Sequence, residues 1–224
     1  DSLPDNWGRL LLNRLLREHK QDPDKLTVLD RLAIVGKSGM GALTYYPERR
    51  FPEQQDNPDL DELAQECQKI LNTEYTDKLD ELYRLGGTSG GARPKIMTSI
   101  GNEEWIIKFP AHVDGKDAGK MEYDYSCCAR KCGITMSETK LFPSKICKGY
   151  FGTRRFDRVT NQNGTKRIHM LTAAALLELD FEQPSLDYHS LMKLTKILTR
   201  DNYDDVENMF RRMCFNVFAH NRDD

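Results

Sequence analysis

The sequence predicts an α+β fold in which helical segments precede and follow one antiparallel sheet. Residues 7–20 place leucines three and four positions apart with basic residues between them, which is the 3.6-residue period of an amphipathic helix. Residues 95–111 and 150–171 contain short runs rich in β-branched and aromatic residues, with turn signals such as GNE and NQNGT beside them. Beyond these runs the helical spacing returns.

The first 85 residues are predicted to be mainly helical. Their expected elements are the helix 7–20, a short helix within 22–36 with Leu29, Leu32 and Ala33 on one face, a loop and short extended piece at 39–48, an exposed proline-containing connection at 51–63, a helix at 62–71, and a helix at 76–85. Asp59 or Asp61 is expected to cap the helix at 62–71, and Gly86 is a suitable stop for the last one.

Composition divides the chain into a helical region 1–85, a sheet region 86–170 and a second helical region 171–224. Within the sheet region, residues 118–134 predict a helix closed by Gly133. In the last region, the apolar residues of 203–219 follow the i, i+3, i+4, i+7 spacing, which predicts a strongly buried helix.

Charge and composition exclude several classes of function. The chain has 33 Lys and Arg against 35 Asp and Glu, a net charge of −2, so no global positive field draws it to DNA. It has neither a run of ~18 apolar residues nor a signal-peptide pattern, which predicts a cytoplasmic protein without a membrane segment. Its six cysteines form no C-x-x-C pair, so we expect reduced, buried thiols and no structural metal.

The stretch GGTSGGARPK, residues 86–95, combines four glycines with hydroxyl and cationic side chains. Glycines let backbone N–H groups approach a phosphate, and Ser, Thr, Arg and Lys are what a triphosphate would then meet. A connecting loop is the alternative explanation of the same residues. A second phosphate-loop candidate, Gly36-Lys37-Ser38, lacks the glycine that a Walker A motif requires at position 31, which is Arg31.

Two ionisable residues follow the glycine-rich stretch in an informative order. Lys108 lies in the apolar strand WIIKFP, and Glu122 lies near the start of the next helix. A glycine-rich loop, a strand lysine and a helix glutamate, in that order, are the small-lobe elements of protein kinases. A solvent-facing strand lysine and a glutamate that stabilises its helix dipole are the alternatives. At the far end, HNRDD follows a long helix as a kinase catalytic loop does, which makes Asp223 the first candidate base and Asp224 the second. A solvated turn is the alternative.

Taken together, these motifs resemble the HipA family of bacterial toxin kinases. The motifs that carry the resemblance, in order, are LPDNWGRLLLNRLL, IVGKSGMGALTYYPE, GGTSGGARPK, WIIKFP, MEYDYSCCARKCGI, TRRFDR and FNVFAHNRDD. The resemblance implies a kinase-like fold, with an antiparallel-sheet small lobe, a helical large lobe and an N-terminal helical region packed on the small lobe. It also implies ATP- and Mg²⁺-dependent serine/threonine phosphorylation of a protein such as an aminoacyl-tRNA synthetase, causing growth arrest.

The family's functional residues transfer to positions of this sequence. The resemblance implies that nucleotide is bound by the loop residues Gly87, Thr88, Ser89, Gly90, Gly91, Ala92 and Lys95, and by Lys108 with its partner Glu122. Thr88, or alternatively Ser89, would be autophosphorylated, and Asp223 would be the catalytic base. No chemistry is assigned to RRFDR beyond packing and charge pairing. The implied partner is a helix-turn-helix antitoxin, through which the chain would meet DNA indirectly.

The chain departs from the family pattern at both ends. It lacks the small domain that usually precedes LPDNWGR. We expect either that a separate subunit supplies this domain or that the chain has been shortened. The asparagine and aspartate that hold Mg²⁺ in kinases are expected beyond Asp224, so the predicted fold is truncated and its activity weak or absent. A non-catalytic antitoxin-docking module and a small-molecule phosphotransferase are the competing functions.

Overall fold

The computed structural model describes residues 2–49, 59–162, 164–180, 183 and 185–221, and it contains the helices and antiparallel sheet that the sequence predicts. Asp223, the candidate base, lies outside the described residues. The helices are α1 (Asn6–Glu18), α2 (Val28–Val35), α3 (Leu60–Leu71), α4 (Leu79–Gly86), α5 (Ala118–Lys131), α6 (Ala173–Leu176), α7 (Tyr188–Thr199) and α8 (Tyr203–Phe218), with a 3₁₀ turn at Pro23–Lys25. The strands are β1 (Lys95–Ile100), β2 (Glu103–Lys108), β3 (Thr139–Phe142), β4 (Tyr150–Arg154), β5 (Arg158–Asn161) and β6 (Gly164–Arg167).

Four of the strands form one antiparallel sheet in the order β1-β2-β4-β3, and β5 and β6 form a separate hairpin. The β1–β2 connection is the tight turn that GNE predicts, with Ile100 paired to Glu103. Along β2, Trp105 and Ile107 are fully buried while their neighbours are only half-buried. One face of the sheet therefore packs against the core, and the other remains accessible.

The apolar face of the sheet packs against α1, α3 and α4. Their contacts form a continuous hydrophobic cluster that includes Trp7, Leu11, Leu15, Leu63, Ile70, Leu82, Ile96, Trp105, Ile107 and Tyr150. Four of the five leucines of α1, Leu11, Leu12, Leu15 and Leu16, are buried at 0–3% exposure and Leu10 is half-buried, which confirms the amphipathic helix that their spacing predicts. The N-terminal helices and the sheet thus share one core.

Asp59 caps α3, as one of the two sequence alternatives proposes. Its carboxylate accepts hydrogen bonds from the N–H groups of Asp61 and Glu62, which have no partner within the helix. Asp61 instead accepts from the hydroxyls of Ser144, at 2.6 Å, and Tyr150, at 2.8 Å. The Ser144 hydrogen bond is the largest of the effects that lower the pKa of Asp61. Asp61 therefore ties α3 to the segment between β3 and β4.

The chain forms two compact units. The first contains residues 1–123 and 137–170, and the second contains residues 124–136 and 171–224. Residues 1–85 thus lie in the same unit as the sheet, and the division at residues 85 and 170 stays a prediction from composition. None of the described helices combines the length and the apolar character needed to cross a bilayer.

The expectation of a strongly buried last helix is wrong. In α2, for which the sequence predicts only that Leu29, Leu32 and Ala33 share one face, Leu29 is 76% exposed and the buried residues are Ile34 and Val35. In α8, no residue is buried, and Phe218 is 85% exposed. Periodicity locates the apolar face of a helix, but it does not show whether another element covers that face. Within the second unit, α8 packs mainly against α7, and the aromatic ring of Phe215 meets Tyr125 edge-on at 6.3 Å.

All six cysteines are free thiols, but their predicted burial holds only in part. Cys67 is fully buried in the core, where burial raises the pKa of its thiol. Cys128 on α5 and Cys132, directly after the end of α5, are exposed, contrary to the expectation of buried thiols.

Gly86 permits close contact between α4 and β1, and this contact gives a testable stability prediction. A Cβ at residue 86 would lie 2.2 Å from the carbonyl oxygen of Lys95, a backbone atom that cannot rotate away. We expect Gly86→Ala to lower the free energy of unfolding by about 1–3 kcal/mol, the usual cost of overpacking. Gly115→Ala is the control, because its Cβ would meet only Asp117 at 3.6 Å. Equal urea midpoints for the two variants would contradict the prediction.

Candidate functional site

The β1–β2 hairpin places the start of one strand beside the end of the next. Lys95 pairs with Lys108 across the hairpin, and the N–H of Phe109 donates to the carbonyl of Pro94 at 2.8 Å. Lys108 is the last residue of β2 rather than an interior one. It lies on the face opposite Trp105 and Ile107, because successive side chains of a strand alternate in direction. The end of the glycine-rich stretch and Lys108 are therefore neighbours.

Lys108 and Glu122 are paired, as the sequence order predicts for a kinase small lobe. The ammonium of Lys108 donates to the carboxylate of Glu122, which lies in the second turn of α5. The Lys108 ammonium also lies 5.5 Å from the ring centroid of Phe151. Side-chain exposures of 36% for Lys108 and 40% for Glu122 leave both groups accessible. Lys108 is therefore paired with a carboxylate and remains accessible to a ligand.

The glycine-rich loop is fastened to the N-terminal helix. The N–H of Gly91 donates to the carboxylate of Asp5, and the carbonyl of Gly91 accepts from the N–H of Trp7 at 3.2 Å. Gly91 has φ of +85°, in the left-handed region that other residues rarely adopt. The indole N–H of Trp7 also donates to the carbonyl of Lys95 at 3.3 Å. Residues 5–7 thus fix the path of the loop.

The two hydroxyl residues of the loop are buried. Thr88 is 9% exposed and donates to the carbonyl of Ser38 at 3.0 Å, and Ser89 is 3% exposed and donates to the carbonyl of Gly86 at 2.6 Å. The ammonium of Lys95 folds back onto the carbonyl of Gly90. In this conformation neither hydroxyl faces solvent, so a phosphoryl donor would reach Thr88 or Ser89 only after the loop moves.

A cavity of about 420 Å³ opens beside Lys108 and Glu122. Its charged lining includes these two residues together with Arg93 and Asp114, and its apolar lining includes Phe109. This volume falls within the range of small-molecule sites. Of the sequence-predicted binding residues, Lys108 and Glu122 line the cavity. The loop residues from Gly87 to Ala92, and Lys95, do not.

The segment RRFDR forms a buried charge cluster. Asp157 is fully buried and receives two hydrogen bonds from Arg155, at 2.9 and 2.8 Å, and one from Arg158 at 2.7 Å. Burial alone would raise the pKa of Asp157, but the hydrogen bonds from Arg155 and the Gly41 N–H, with the two positive charges, lower it below 3.8. This agrees with the structural role that the sequence assigns to RRFDR.

The arginines around Asp157 also hold the segment 37–43. Arg158 donates to the carbonyls of Gly39 and Gly41, and Arg167 donates to the carbonyls of Lys37, Gly39, Gly41 and Leu43. Burial and the positive charge of Arg155 lower the pKa values of both guanidinium groups. Because Thr88 donates to Ser38 in the same segment, segment 37–43 contacts both the glycine-rich loop and the arginine cluster.

Sequence reasoning missed Asp114 as a site residue and did not single out Arg93 within the glycine-rich stretch. Arg93 lies two residues before the end of that stretch, and Asp114 lies between β2 and α5, outside any motif. Their ion pair joins two loops 21 positions apart, at 2.8 Å. Arg93 offered a signal, since an arginine beside a glycine-rich loop suits phosphate recognition. Asp114 offered none.

The comparison with solved structures identifies the fold. The chain is similar to "Shewanella oneidensis MR-1 Toxin Antitoxin System HipA, HipB and its operator DNA complex", with a TM-score of 0.67 and 17% sequence identity. The similarity covers 99% of this chain and 56% of the solved chain, so this chain spans little more than half of that protein's length. The α+β fold is therefore the kinase-like fold of HipA, truncated relative to that structure.

The comparison with family models then determines the family of the chain. The model described as the HipA-like C-terminal domain matches residues 87–224, which is more than half of the chain. The chain therefore belongs to the HipA family. The comparison with curated proteins returned no match.

Proposed function

We propose that this chain is part of an ATP-dependent serine/threonine protein kinase that acts as the toxin of a toxin–antitoxin module. The observation that carries the proposal is the Lys108–Glu122 ion pair at the wall of a cavity, beside a glycine-rich loop. Kinases use this pair to hold nucleotide phosphates. Membership of the HipA family supports the same activity.

In the proposed reaction, Lys108 binds phosphate oxygens of ATP and Glu122 keeps the ammonium directed towards them. Asp223 accepts the proton of the substrate hydroxyl, whose oxygen attacks the γ-phosphorus while ADP departs. The protein's contribution is then mainly positioning and charge stabilisation. Mg²⁺ belongs to the proposal, but across the described part of the chain no three His, Cys, Asp or Glu side chains cluster to hold a metal ion. We assign Mg²⁺ no ligand here.

The proposed partners follow from the family. The similar solved structure contains HipA, HipB and operator DNA. By analogy we propose a helix-turn-helix antitoxin as partner, with DNA contacted only through it, and a cytoplasmic protein substrate such as an aminoacyl-tRNA synthetase. Thr88 or Ser89 is the proposed site of autophosphorylation, which requires the loop to leave its buried position.

Two experiments test the proposed function. Isothermal titration of ATP with Mg²⁺ into the product of the complete reading frame that contains these residues should show binding, and its absence would contradict the nucleotide site. The product of the complete reading frame that contains these residues, incubated with γ-labelled ATP and cell extract, should transfer label to protein. Label found only in small molecules would identify a small-molecule phosphotransferase. Nucleotide-free binding to an antitoxin, without label transfer, would identify a docking module.

The same labelled protein locates the base and the modified hydroxyl. We expect intact-mass analysis of the reading-frame product to show one added phosphoryl group, lost in the Asp223→Asn variant and in a Thr88→Ala, Ser89→Ala double variant. Persistence of that mass in Asp223→Asn would assign the base to another residue.

A further inference from the structure

We infer that Arg93 is a second phosphate-binding cation of the cavity and that Asp114 is the residue that positions it. This inference rests on the proposed function and extends it to one arginine of the glycine-rich stretch and to one aspartate outside every predicted motif. The ligand chemistry is that of a nucleoside triphosphate, whose phosphate oxygens would meet two cations supplied by different loops.

The hairpin register explains why Arg93 reaches the cavity. Lys95 lies opposite Lys108 in the register of β1 and β2, so Arg93 lies two residues beyond the paired end. After Lys108 the chain continues through residues 109–117. Arg93 and several residues of that segment line the same cavity. Arg93 and Lys108 therefore approach one volume from two segments of the backbone.

Asp114 is fixed independently of Arg93. One oxygen of its carboxylate accepts from the backbone N–H of Ala111 at 2.7 Å, and the other faces the guanidinium of Arg93 at 2.8 Å. The side chain of Asp114 is 14% exposed, whereas that of Arg93 is 54% exposed. A largely buried carboxylate, held by its own loop, thus restrains an arginine that remains open to a ligand.

This geometry suits recognition of an anion more than structural pairing alone. A guanidinium carries five N–H donors in a planar fork, and the contact with Asp114 engages one terminal nitrogen. Restraining one edge of the fork reduces the conformational entropy that binding would cost. The arrangement repeats that of Lys108 and Glu122, in which a carboxylate orients a cation at the cavity wall.

The test compares the binding of ATP and adenosine, each with Mg²⁺, to the product of the complete reading frame by isothermal titration. Arg93→Ala should weaken ATP binding by at least about tenfold, the usual loss for one charge-assisted hydrogen bond. Adenosine binding should not change, because it lacks phosphates. Arg49→Ala is the matched control, since Arg49 is also 54% exposed and paired with an aspartate but does not line the cavity.

Asp114 is tested through Arg93. Asp114→Asn should weaken ATP binding less than Arg93→Ala does, and it should cause no additional loss when Arg93 is already alanine. An equal loss in both backgrounds would assign Asp114 a role unrelated to Arg93. Thermal unfolding of each variant establishes that the chain is folded.

The remaining outcomes separate this inference from the proposed function. ATP affinity of Arg93→Ala equal to that of wild type and Arg49→Ala, with Lys108→Ala impaired, overturns the inference and leaves the proposed function intact. Equal losses for ATP and adenosine also overturn it, since they indicate a general disturbance of the cavity. Failure of the wild-type product of the complete reading frame to bind ATP removes the proposed function and the inference together.

Discussion

Replacing Lys108 with alanine should lower the rate of phosphoryl transfer by about 10²–10³-fold or more, because it removes a preorganised charge from the transferred phosphates. The fold should tolerate the change. Lys108 and Glu122 are each more than one-third exposed, and a solvent-screened pair of this kind contributes about 0–1 kcal/mol to stability. The measurement is transfer of labelled phosphate by the product of the complete reading frame, with thermal unfolding in parallel.

Lys140 provides a closely matched control. It is also a sheet lysine that contacts an aromatic ring, Trp105 at 4.5 Å, and a carboxylate, Glu103 at 3.4 Å. It does not line the cavity. We therefore expect Lys140→Ala to retain wild-type transfer. Retained transfer in Lys108→Ala as well would show that Lys108 is an ordinary surface lysine of the sheet.

Asp157→Asn should cause a large loss of stability in the first unit. The substitution leaves the buried guanidinium groups of Arg155 and Arg158 without their counter-charge, and breaking a buried ion pair typically costs about 3–5 kcal/mol. Glu103→Gln is the control, because Glu103 also contacts two cations, Arg154 and Lys140, but at the surface. Urea unfolding of the two variants should show a much lower midpoint only for Asp157→Asn. Similar midpoints would refute the role of this cluster.

The same carboxylate predicts part of the acid sensitivity of the protein. The pKa of Asp157 is lower in the folded state than its ordinary value of 3.8, so its stabilising contribution is complete above pH 3.8. That contribution is lost as the pH falls through the folded pKa, where the carboxylate becomes protonated. The free energy of unfolding should therefore depend less steeply on pH below 3.8 in Asp157→Asn than in the wild type.

The order of elements could be predicted from the sequence because local patterns determine it. The strands β1 and β2, the turn between them and the helix that carries Glu122 all have local signals, and the structure contains each of them. The Lys108–Glu122 pairing followed from order along the chain together with the resemblance to kinases. These features require no knowledge of contacts between distant segments.

Contacts between distant loops could not be predicted in the same way. The Arg93–Asp114 pair depends on the path of residues 109–117, for which the sequence gives no periodic pattern. The burial of Thr88 depends on Ser38, 50 positions earlier, whose backbone carbonyl carries no sequence signal. The exposure of α8 depends on what packs against it rather than on its own spacing. Which backbone carbonyl accepts a hydrogen bond, and which element covers a helix, are both determined by the tertiary structure.

The shared core of α1, α3, α4 and the sheet has a consequence for where this protein can be divided. The family match begins at Gly87, yet a polypeptide starting there would expose the apolar sides of Ile96, Trp105 and Ile107 to water. It would also deprive Arg158 and Arg167 of the backbone oxygens that solvate them. The residue at which the family match begins is thus not the start of a segment that folds by itself. A polypeptide that begins at Gly87 should aggregate when it is expressed.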